Sequence, residues 1–293
     1  MTLLPPDPNA VQRQRRRLEG RGEVPWLMQA LSARMAERLP LIKLEARSIV
    51  LWHSRVGGGS EAVRARYPEA QLVWVEEGAA ALAARQQVAR PWWQPWRTVN
   101  DCVCEPSELK AGLSDMVWAN LGVLGVNDPQ AVFARWSYAL APQGYVLFSS
   151  LGPDSFLELR SLYAAHGWGA ATPAWMDLHD LGDALLQAGF ADPVMDQERL
   201  TLTWGCAEDL WRDLQALGGN VAPDRFVGCR TPGWRARWLA AAESHLRGPD
   251  GRLRLTLEFV CGHAIRAEPR STGESTVPLS DLQAQLRRRR APY

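Results

Sequence analysis

The chain lacks a long apolar segment. Nowhere do its 293 residues approach the run of roughly 20 apolar residues that crosses a membrane. The opening stretch, MTLLPPDPNAVQRQRRRLEG, also has no apolar core of the length that a secretion signal needs. We therefore expect a cytoplasmic protein without a membrane partner.

The chain also lacks an excess of charge of one sign. Its 33 basic and 32 acidic residues leave a formal net charge of +1. A strongly basic balance is the usual electrostatic mark of proteins that bind nucleic acid, and it is missing here. We expect no nucleic-acid partner.

Paired cysteines are missing too. The five cysteines are an odd number, and no two of them have the CxxC spacing of a structural zinc site. A disulfide framework and a metal centre are therefore not expected. What is present is ordinary for a globular protein, with 46% hydrophobic and 22% charged residues, although 14 tryptophans indicate large aromatic cores.

Predicted strands and helices alternate along the chain, which favours a mostly parallel sheet with right-handed crossovers. The predicted strands are residues 48–52, 72–76, 98–103, 115–120, 145–150, 193–204 and 252–267, and the last is expected to pair antiparallel with the one before it. The predicted helices are residues 26–39, 59–66, 78–88, 129–140, 155–165, 178–188 and 207–217.

This pattern divides the chain into three parts. Residues 1–25 are polar and Arg-rich, and we expect a flexible, loosely attached arm. Residues 26–267 form the folded domain, with a helical or loop insertion at about 205–250. Residues 268–293 end in RRRRAPY and are expected to be a disordered tail.

The segment Ser48–Ala83 has the form strand, glycine turn, helix, strand, and Glu76 follows its second strand. This is the opening unit of an α/β domain that binds a nucleotide or nucleoside. Three consecutive glycines, Gly57 to Gly59, follow the first strand. A nicotinamide oxidoreductase would need GxGxxG there, so that class is disfavoured.

Three segments of the chain resemble a known family. They are DMVWANLGVLGVNDPQAVFARWSYALAPQGYVLFSSLGPDSFLELR (Asp115–Arg160), DLHDLGDALLQAGFADPVMD (Asp177–Asp196) and LTLEFVCGHA (Leu255–Ala264). They resemble class I S-adenosylmethionine-dependent methyltransferases, and more specifically the malonyl-carrier-protein O-methyltransferases of biotin synthesis. The mitochondrial complex I assembly methyltransferase-like proteins carry similar segments. The resemblance implies a Rossmann-like α/β fold, a seven-stranded mostly parallel sheet with an antiparallel last strand and helices on both faces.

The resemblance also implies a cofactor site for S-adenosylmethionine. Gly57 matches the last glycine of the family's turn, and Glu76 matches the acid that binds the ribose hydroxyls. Asp101 would face the adenine, while Asn120 and Leu121 would face cofactor and substrate. Each has a plainer alternative: a solvated strand end for Glu76, a turn acid for Asp101 and a turn cap for Asn120.

The chain departs from the family at this site. Leu51 stands where the family has an acid, and His53 and Arg55 replace two glycines. Glycines there let the backbone approach the cofactor without a Cβ in the way, so a long side chain would swing out or fill the pocket. The family's N-terminal aromatic segment is not recognisable before Trp26.

Two further residues are candidates for the chemistry. The resemblance implies that Arg160 pairs with the free carboxylate of a malonyl group, which a guanidinium can bind in a bidentate manner. A surface pair with Glu158 is the alternative. His263 is a candidate catalytic residue, and a satisfied core histidine is its alternative.

Two functions follow from these residues. The first is transfer of a methyl group from S-adenosylmethionine to a carboxylate, on malonyl-acyl carrier protein or a small carboxylate substrate. An acidic carrier protein would dock on basic surface, for which Arg160, Arg225, Arg230 and Arg235 are the candidates. The second is a family member that has kept the fold, lost the cofactor and acts as a binding or assembly factor.

Overall fold

The computed structural model describes residues 4–88, 101–126 and 128–268. Seven strands form one sheet in the order β3-β2-β1-β4-β5-β7-β6. They are β1 (Ser48–Trp52), β2 (Gln71–Val75), β3 (Cys102–Cys104), β4 (Ser114–Ala119), β5 (Leu140–Leu151), β6 (Phe190–Trp204) and β7 (Leu253–Arg266). β7 is antiparallel to both of its neighbours, and the other strands are parallel to one another. This confirms the predicted sheet.

Helices cover both faces of the sheet. They are α1 (Pro8–Glu19), α2 (Trp26–Ala36), α3 (Ser54–Gly57), α4 (Ser60–Arg66), α5 (Gly78–Val88), α6 (Pro129–Ala139), α7 (Leu157–Ala165), α8 (Leu178–Gln187), α9 (Ala207–Ala216) and α10 (Pro232–His245). Side-chain caps mark several of their starts: Asp128 begins α6, Asp177 begins α8 and Thr231 begins α10.

Each face of the sheet buries its own apolar layer, because successive side chains of a strand point to opposite sides. Ile49 and Leu51 of β1 join the layer beneath α2, α7, α9 and α10. Val50 and Trp52 join the layer beneath α6 and α8. The central strands are therefore buried on both faces, as expected for parallel strands flanked by helices.

The N-terminal residues are not a loose arm in the structure. Residues 8–19 form α1, with Asp7 as its N-cap and with Leu18 buried. The Nε2 of Gln14 donates to the carbonyl oxygens of Leu217 at 3.0 Å and Gly219 at 2.9 Å. The sequence pattern missed this helix because only Ala10, Val11 and Leu18 of its residues are apolar, and its contacts are mostly polar. The expected tail lies outside the described residues except for Glu268.

The expected insertion contains α10, which the sequence pattern did not predict. Trp234 and Trp238 of this helix are buried in the larger apolar layer. Trp211 of α9 packs against both rings, with centroids 5.9 Å and 4.9 Å away.

Within the described ranges, no helix has the length and apolarity needed to span a membrane.

The glycine turn after β1 lies very close to β4. Gly59 has a φ of +90°, and a Cβ added to it would lie 2.6 Å from the indole nitrogen of Trp118. That indole N–H donates to the carbonyl oxygen of Gly58 at 3.1 Å. The glycines are therefore required by the packing of β4 against the turn, whatever else they do.

We expect Gly59→Ala to destabilise the fold, because the added methyl group has no room and the backbone is left-handed. Overpacking and a positive φ together cost about 2–4 kcal/mol. For a chain of this size, that lowers the melting temperature by roughly 5 °C or more in a thermal unfolding experiment.

Gly205→Ala is the matched control, since a Cβ there meets nothing within 4 Å and the residue has no positive φ. Equal melting temperatures for the two variants would contradict the packing argument.

Candidate functional site

The carboxyl ends of β1, β2, β4 and β5 meet at one edge of the sheet. The strand order reverses direction between β1 and β4, and ligands of open α/β sheets bind in the crevice at such a point. His53 follows β1, Glu76 follows β2, and Asn120 follows β4. The topology thus brings these three residues to the same edge.

The turn after β1 has the backbone of a glycine turn without its first glycines. His53 has a φ of +50°, in the left-handed region that glycine favours, and α3 begins directly after it. At the end of α3, a Cβ on Gly57 would lie 2.6 Å from the carbonyl oxygen of Asn120. Gly57 therefore permits a close approach to β4, as well as to any ligand.

Glu76 is enclosed by this turn. Only 1% of the residue is exposed, so it is not a solvated strand end. Its Oε1 accepts a hydrogen bond from the backbone N–H of Arg55 at 2.9 Å, and its Oε2 lies 3.7 Å from Nδ1 of His53. The carboxylate that the resemblance assigns to a ribose is hydrogen-bonded here by the chain itself.

Arg15 of α1 covers the other side of His53. Its Nη2 lies 2.9 Å from Nδ1 of His53, and since a guanidinium has only donors, the ring nitrogen accepts in this contact. Nη1 of Arg15 donates to Glu77, and its Nε lies 3.4 Å from Glu19. The imidazole also packs edge-on against Trp52. These contacts place Arg15 and the imidazole over the carboxylate of Glu76, with side chains 32% and 24% exposed.

Asn120 has all its side-chain polar atoms in use. Its Nδ2 donates to the carbonyl oxygens of Gly57 at 2.6 Å and Met28 at 3.0 Å, and its Oδ1 accepts from the hydroxyl of Ser149 at 2.6 Å. The backbone N–H of Leu121, a residue with a φ of +55°, donates to the same hydroxyl at 2.9 Å. The structure therefore brings Gly57, Asn120 and Leu121 together at one locked junction.

The backbone at this edge fits S-adenosylmethionine, but the side chains do not fit it in this conformation. The ribose would need Glu76, which is enclosed. The space above Gly58 is also taken, since a Cβ there would lie 3.3 Å from both Val24 and Ser32. Among the described residues, Glu76 becomes available to a ribose only if the groups that enclose it move.

Asp101 lies at the opposite edge, so it does not face an adenine site. It precedes β3 and binds Nη2 of Arg64 with both carboxylate oxygens, at 2.6 and 2.7 Å, and it accepts from the N–H of Leu72 at 3.0 Å. The expectation placed Asp101 in the loop after the third strand, but β3 spans Cys102–Cys104, so Asp101 directly precedes the strand. The acid at the carboxyl end of β3 is Glu105, which sequence reasoning missed.

Arg160 lies on α7, at the turn that follows β5. Its Nη2 donates to the carbonyl oxygen of Pro153 at 2.5 Å. The pair with Glu158 does not form, because that carboxylate accepts from the N–H and the hydroxyl of Thr256, at 2.9 and 2.5 Å. Arg160 thus lies at the carboxyl edge, where an acceptor could reach it.

His263 lies deep in β7 and away from this edge. It lies opposite Leu147 of β5. Leu151, four residues farther along, ends that strand and lies opposite Phe259. At 3.3 Å per residue, that separation is about 13 Å. Its ring stacks on Tyr145, and burial followed by the charge of Arg38 lowers its pKa. The structure does not bring His263 and Arg160 together.

A buried acid that sequence reasoning missed orders the turn beneath Arg160. Glu258 is 2% exposed, and its Oε2 accepts from the N–H of Asp154 at 2.7 Å. Gln197 donates to its other oxygen, and a Cβ on Gly152 would lie 2.6 Å from its Cδ. The available signal was a lone acid inside the apolar strand LTLEFV.

An apolar cleft opens beside the ends of β4 and β5. Its volume is about 160 Å³, below the roughly 300–1,000 Å³ of pockets that enclose a drug-sized ligand, so it suits a thin chain. Its lining includes Val123, Val126, Pro173, Trp175, Met176 and Leu181. Trp175 also packs against Phe156, the residue before α7, at 6.2 Å between centroids.

The basic residues expected to form a docking surface are partly used within the chain. Arg225 binds Asp7 at 2.6 Å, and only 9% of its side chain is exposed. Arg230 donates to the carbonyl oxygen of Trp168 at 2.6 Å. Arg235 is exposed on α10.

Among the described residues, no group of three His, Cys, Asp or Glu side chains could hold a metal ion.

We expect Asp101 to act in stability, as its contacts with Arg64 and Leu72 indicate. Asp101→Asn should lower the free energy of unfolding by about 1–2 kcal/mol, because a partly buried charge-assisted pair is lost. A double-mutant cycle with Arg64→Ala, measured by urea unfolding, should show a coupling of about 1 kcal/mol. If the effects of the two substitutions on the free energy of unfolding are additive, the pair of Asp101 with Arg64 does not stabilise the fold.

Comparison with known proteins shows the family. Malonyl-[acyl-carrier protein] O-methyltransferase of Laribacter hongkongensis is 38% identical over 255 residues, which cover 83% of this chain and 84% of that protein. The protein of the same name from Gallionella capsiferriformans is 36% identical, covering 87% and 89%. That from Halorhodospira halophila is 32% identical, covering 92% and 91%.

The fold is also that of a solved structure. The YcgJ protein from Bacillus subtilis matches with a TM-score of 0.53 at 10% identity, covering 80% of this chain and 98% of that one. No family model matches the chain. Because these relatives are 32–38% identical over more than four fifths of the chain, the chain belongs to the malonyl-[acyl-carrier protein] O-methyltransferase family.

Proposed function

We propose that this chain transfers a methyl group from S-adenosylmethionine to the free carboxylate of a malonyl group carried on acyl carrier protein. The observation that carries the proposal is the identity of 32–38% to proteins of that name over more than four fifths of the chain. The sheet order and the junction of Gly57 with Asn120 are consistent with it.

The reaction needs little general acid–base catalysis. The cofactor, when bound, supplies an electrophilic methyl group, and a carboxylate is a nucleophile at neutral pH without a general base. The position of His263 away from the edge therefore does not weigh against the activity. What the protein must supply is orientation of the acceptor and exclusion of water.

Arg160 is the residue that we assign to the acceptor carboxylate. Its bond to the carbonyl oxygen of Pro153 fixes the guanidinium at the turn after β5, and a planar guanidinium binds a carboxylate in a defined orientation. The apolar cleft beside β4 and β5 is narrow enough for the thin arm that carries the malonyl group. Together they would present the carboxylate to the carboxyl edge of the sheet.

A second candidate function has a specific observation in its favour. Glu76 is 1% exposed, accepts a hydrogen bond from the backbone N–H of Arg55 and lies beside His53, so in this conformation it is not available to the ribose of a nucleoside. A chain with that edge permanently closed would be a family member without cofactor, acting through binding of a carrier protein or another partner.

Titration of the full chain with S-adenosylhomocysteine separates the two candidates. Ligand at 100 times its dissociation constant should add about 2.7 kcal/mol of stability, seen as a rise of several degrees in melting temperature. Calorimetry gives the dissociation constant, and mass spectrometry of malonyl-acyl carrier protein with S-adenosylmethionine gives methyl transfer. Absence of a shift at millimolar ligand would favour the second candidate.

We expect Arg160→Ala to raise KM for malonyl-acyl carrier protein and to lower kcat/KM by about thirtyfold or more. That factor corresponds to about 2 kcal/mol, the low end for loss of one partner of a buried charged pair. Affinity for S-adenosylhomocysteine should stay unchanged.

Arg85→Ala, an exposed arginine of α5, is the control for loss of one positive charge. If the two variants have the same KM and kcat/KM, Arg160 does not bind the acceptor carboxylate.

A further inference from the structure

We infer that α1 closes the cofactor edge of this chain from within, and that Arg15 is the latch that holds it closed. The inference rests on the proposed function, because it concerns how a cofactor would gain access to that same edge. Its basis is the contact of one guanidinium with His53, Glu77 and Glu19 at the mouth of the turn after β1.

The first argument is the position of Arg15 among the acids. Glu19, Glu76 and Glu77 lie around His53, and burial raises the pKa of Glu19, with the charges of the other two adding to that rise. A cation is the natural occupant of such a cluster. Arg15 supplies it from α1 and at the same time covers the imidazole that shields Glu76.

The second argument is that α1 is attached near its start and in its middle. Near its start, Asp7 binds Arg225 at 2.6 Å, and the backbone N–H of Asp7 donates to the carbonyl oxygen of Val221 at 3.0 Å. In its middle, Gln14 binds the carbonyl oxygens of Leu217 and Gly219. The helix therefore bridges the sheet edge and the segment between α9 and α10.

The third argument is that the contacts of Arg15 lie at the surface, where they can break. The side chains of Arg15 and Glu77 are 32% and 44% exposed, so their pair is partly screened by solvent. Residues 20–22 link the helix to α2, and Gly22 has a φ of +75°, a conformation that glycine adopts without steric cost. Movement of α1 about this link would uncover His53 without disturbing the sheet.

When the chain closes its own edge, only the open fraction of molecules can bind a cofactor. The apparent affinity is then the intrinsic affinity multiplied by that fraction. Removing the latch should therefore strengthen binding, which is the opposite of what loss of a cofactor-binding residue would do. Arg15→Ala should bind S-adenosylhomocysteine at least about tenfold more tightly than the unmodified chain, measured by calorimetry.

Arg16→Ala is the matched control, because Arg16 is the next residue of the same helix and its side chain is exposed. Its affinity should equal that of the unmodified chain. Far-UV circular dichroism and the melting temperature show whether each variant is folded.

A second readout does not depend on the cofactor. Diethyl pyrocarbonate modifies accessible histidines, and peptide mass spectrometry gives the rate at each one. His53 should react slowly in the unmodified chain and several times faster in Arg15→Ala. His179, whose side chain is 84% exposed, is the internal standard and should react at the same rate in both.

The outcomes separate the closure from the proposed function. Equal affinity in the unmodified chain and Arg15→Ala overturns the latch and leaves the methyltransferase proposal standing. No binding by either protein, with His53 made reactive by the substitution, supports the closure and overturns the methyltransferase proposal. Unchanged reactivity of His53 in Arg15→Ala overturns the closure whatever the affinity.

Discussion

The close approach of the glycine turn to β4 is the contact on which the site depends. Trp118 lies beneath Gly58 and Gly59, and Asn120 ties Gly57 to α2 through the carbonyl oxygen of Met28. A Cβ on Gly57 would meet the backbone of Asn120, and one on Gly59 would meet the ring of Trp118, so a side chain at either glycine would push the turn away from β4. The same geometry that lets a backbone approach a cofactor is used here to join two strands and a helix.

Electrostatics at the edge follow from that junction. With the turn held against β4, the backbone N–H of Arg55 points at Glu76, and His53 takes a left-handed conformation that places its ring beside the carboxylate. A buried carboxylate needs partners, because an unpaired charge away from water is very costly. Arg15 extends the network to Glu77 on the surface. A family site built for a ligand is thereby satisfied by the chain's own groups.

Much of the fold could be predicted from the sequence, and the exceptions have physical causes. The bounds of β1 agree with the prediction, and β7 differs by one residue at each end, because both have strong apolar patterns. α1 was missed because it is held by polar contacts such as that of Gln14 with Leu217. Asp101 was misplaced because it was expected after the third strand and in fact directly precedes the short strand β3, and the two ends of a strand lie at opposite edges of the sheet.

By itself the sequence determined the family, the seven strands with an antiparallel last strand, and the places of Gly57, Glu76, Asn120 and Leu121 at the edge, because these depend on local pattern and motif. Only the tertiary structure decided that Glu76 is enclosed, that His263 lies about 13 Å from the strand ends, and that α1 covers the turn. Those facts depend on contacts between residues far apart in the chain, such as Arg15 with His53 and Asp7 with Arg225, which no local pattern encodes.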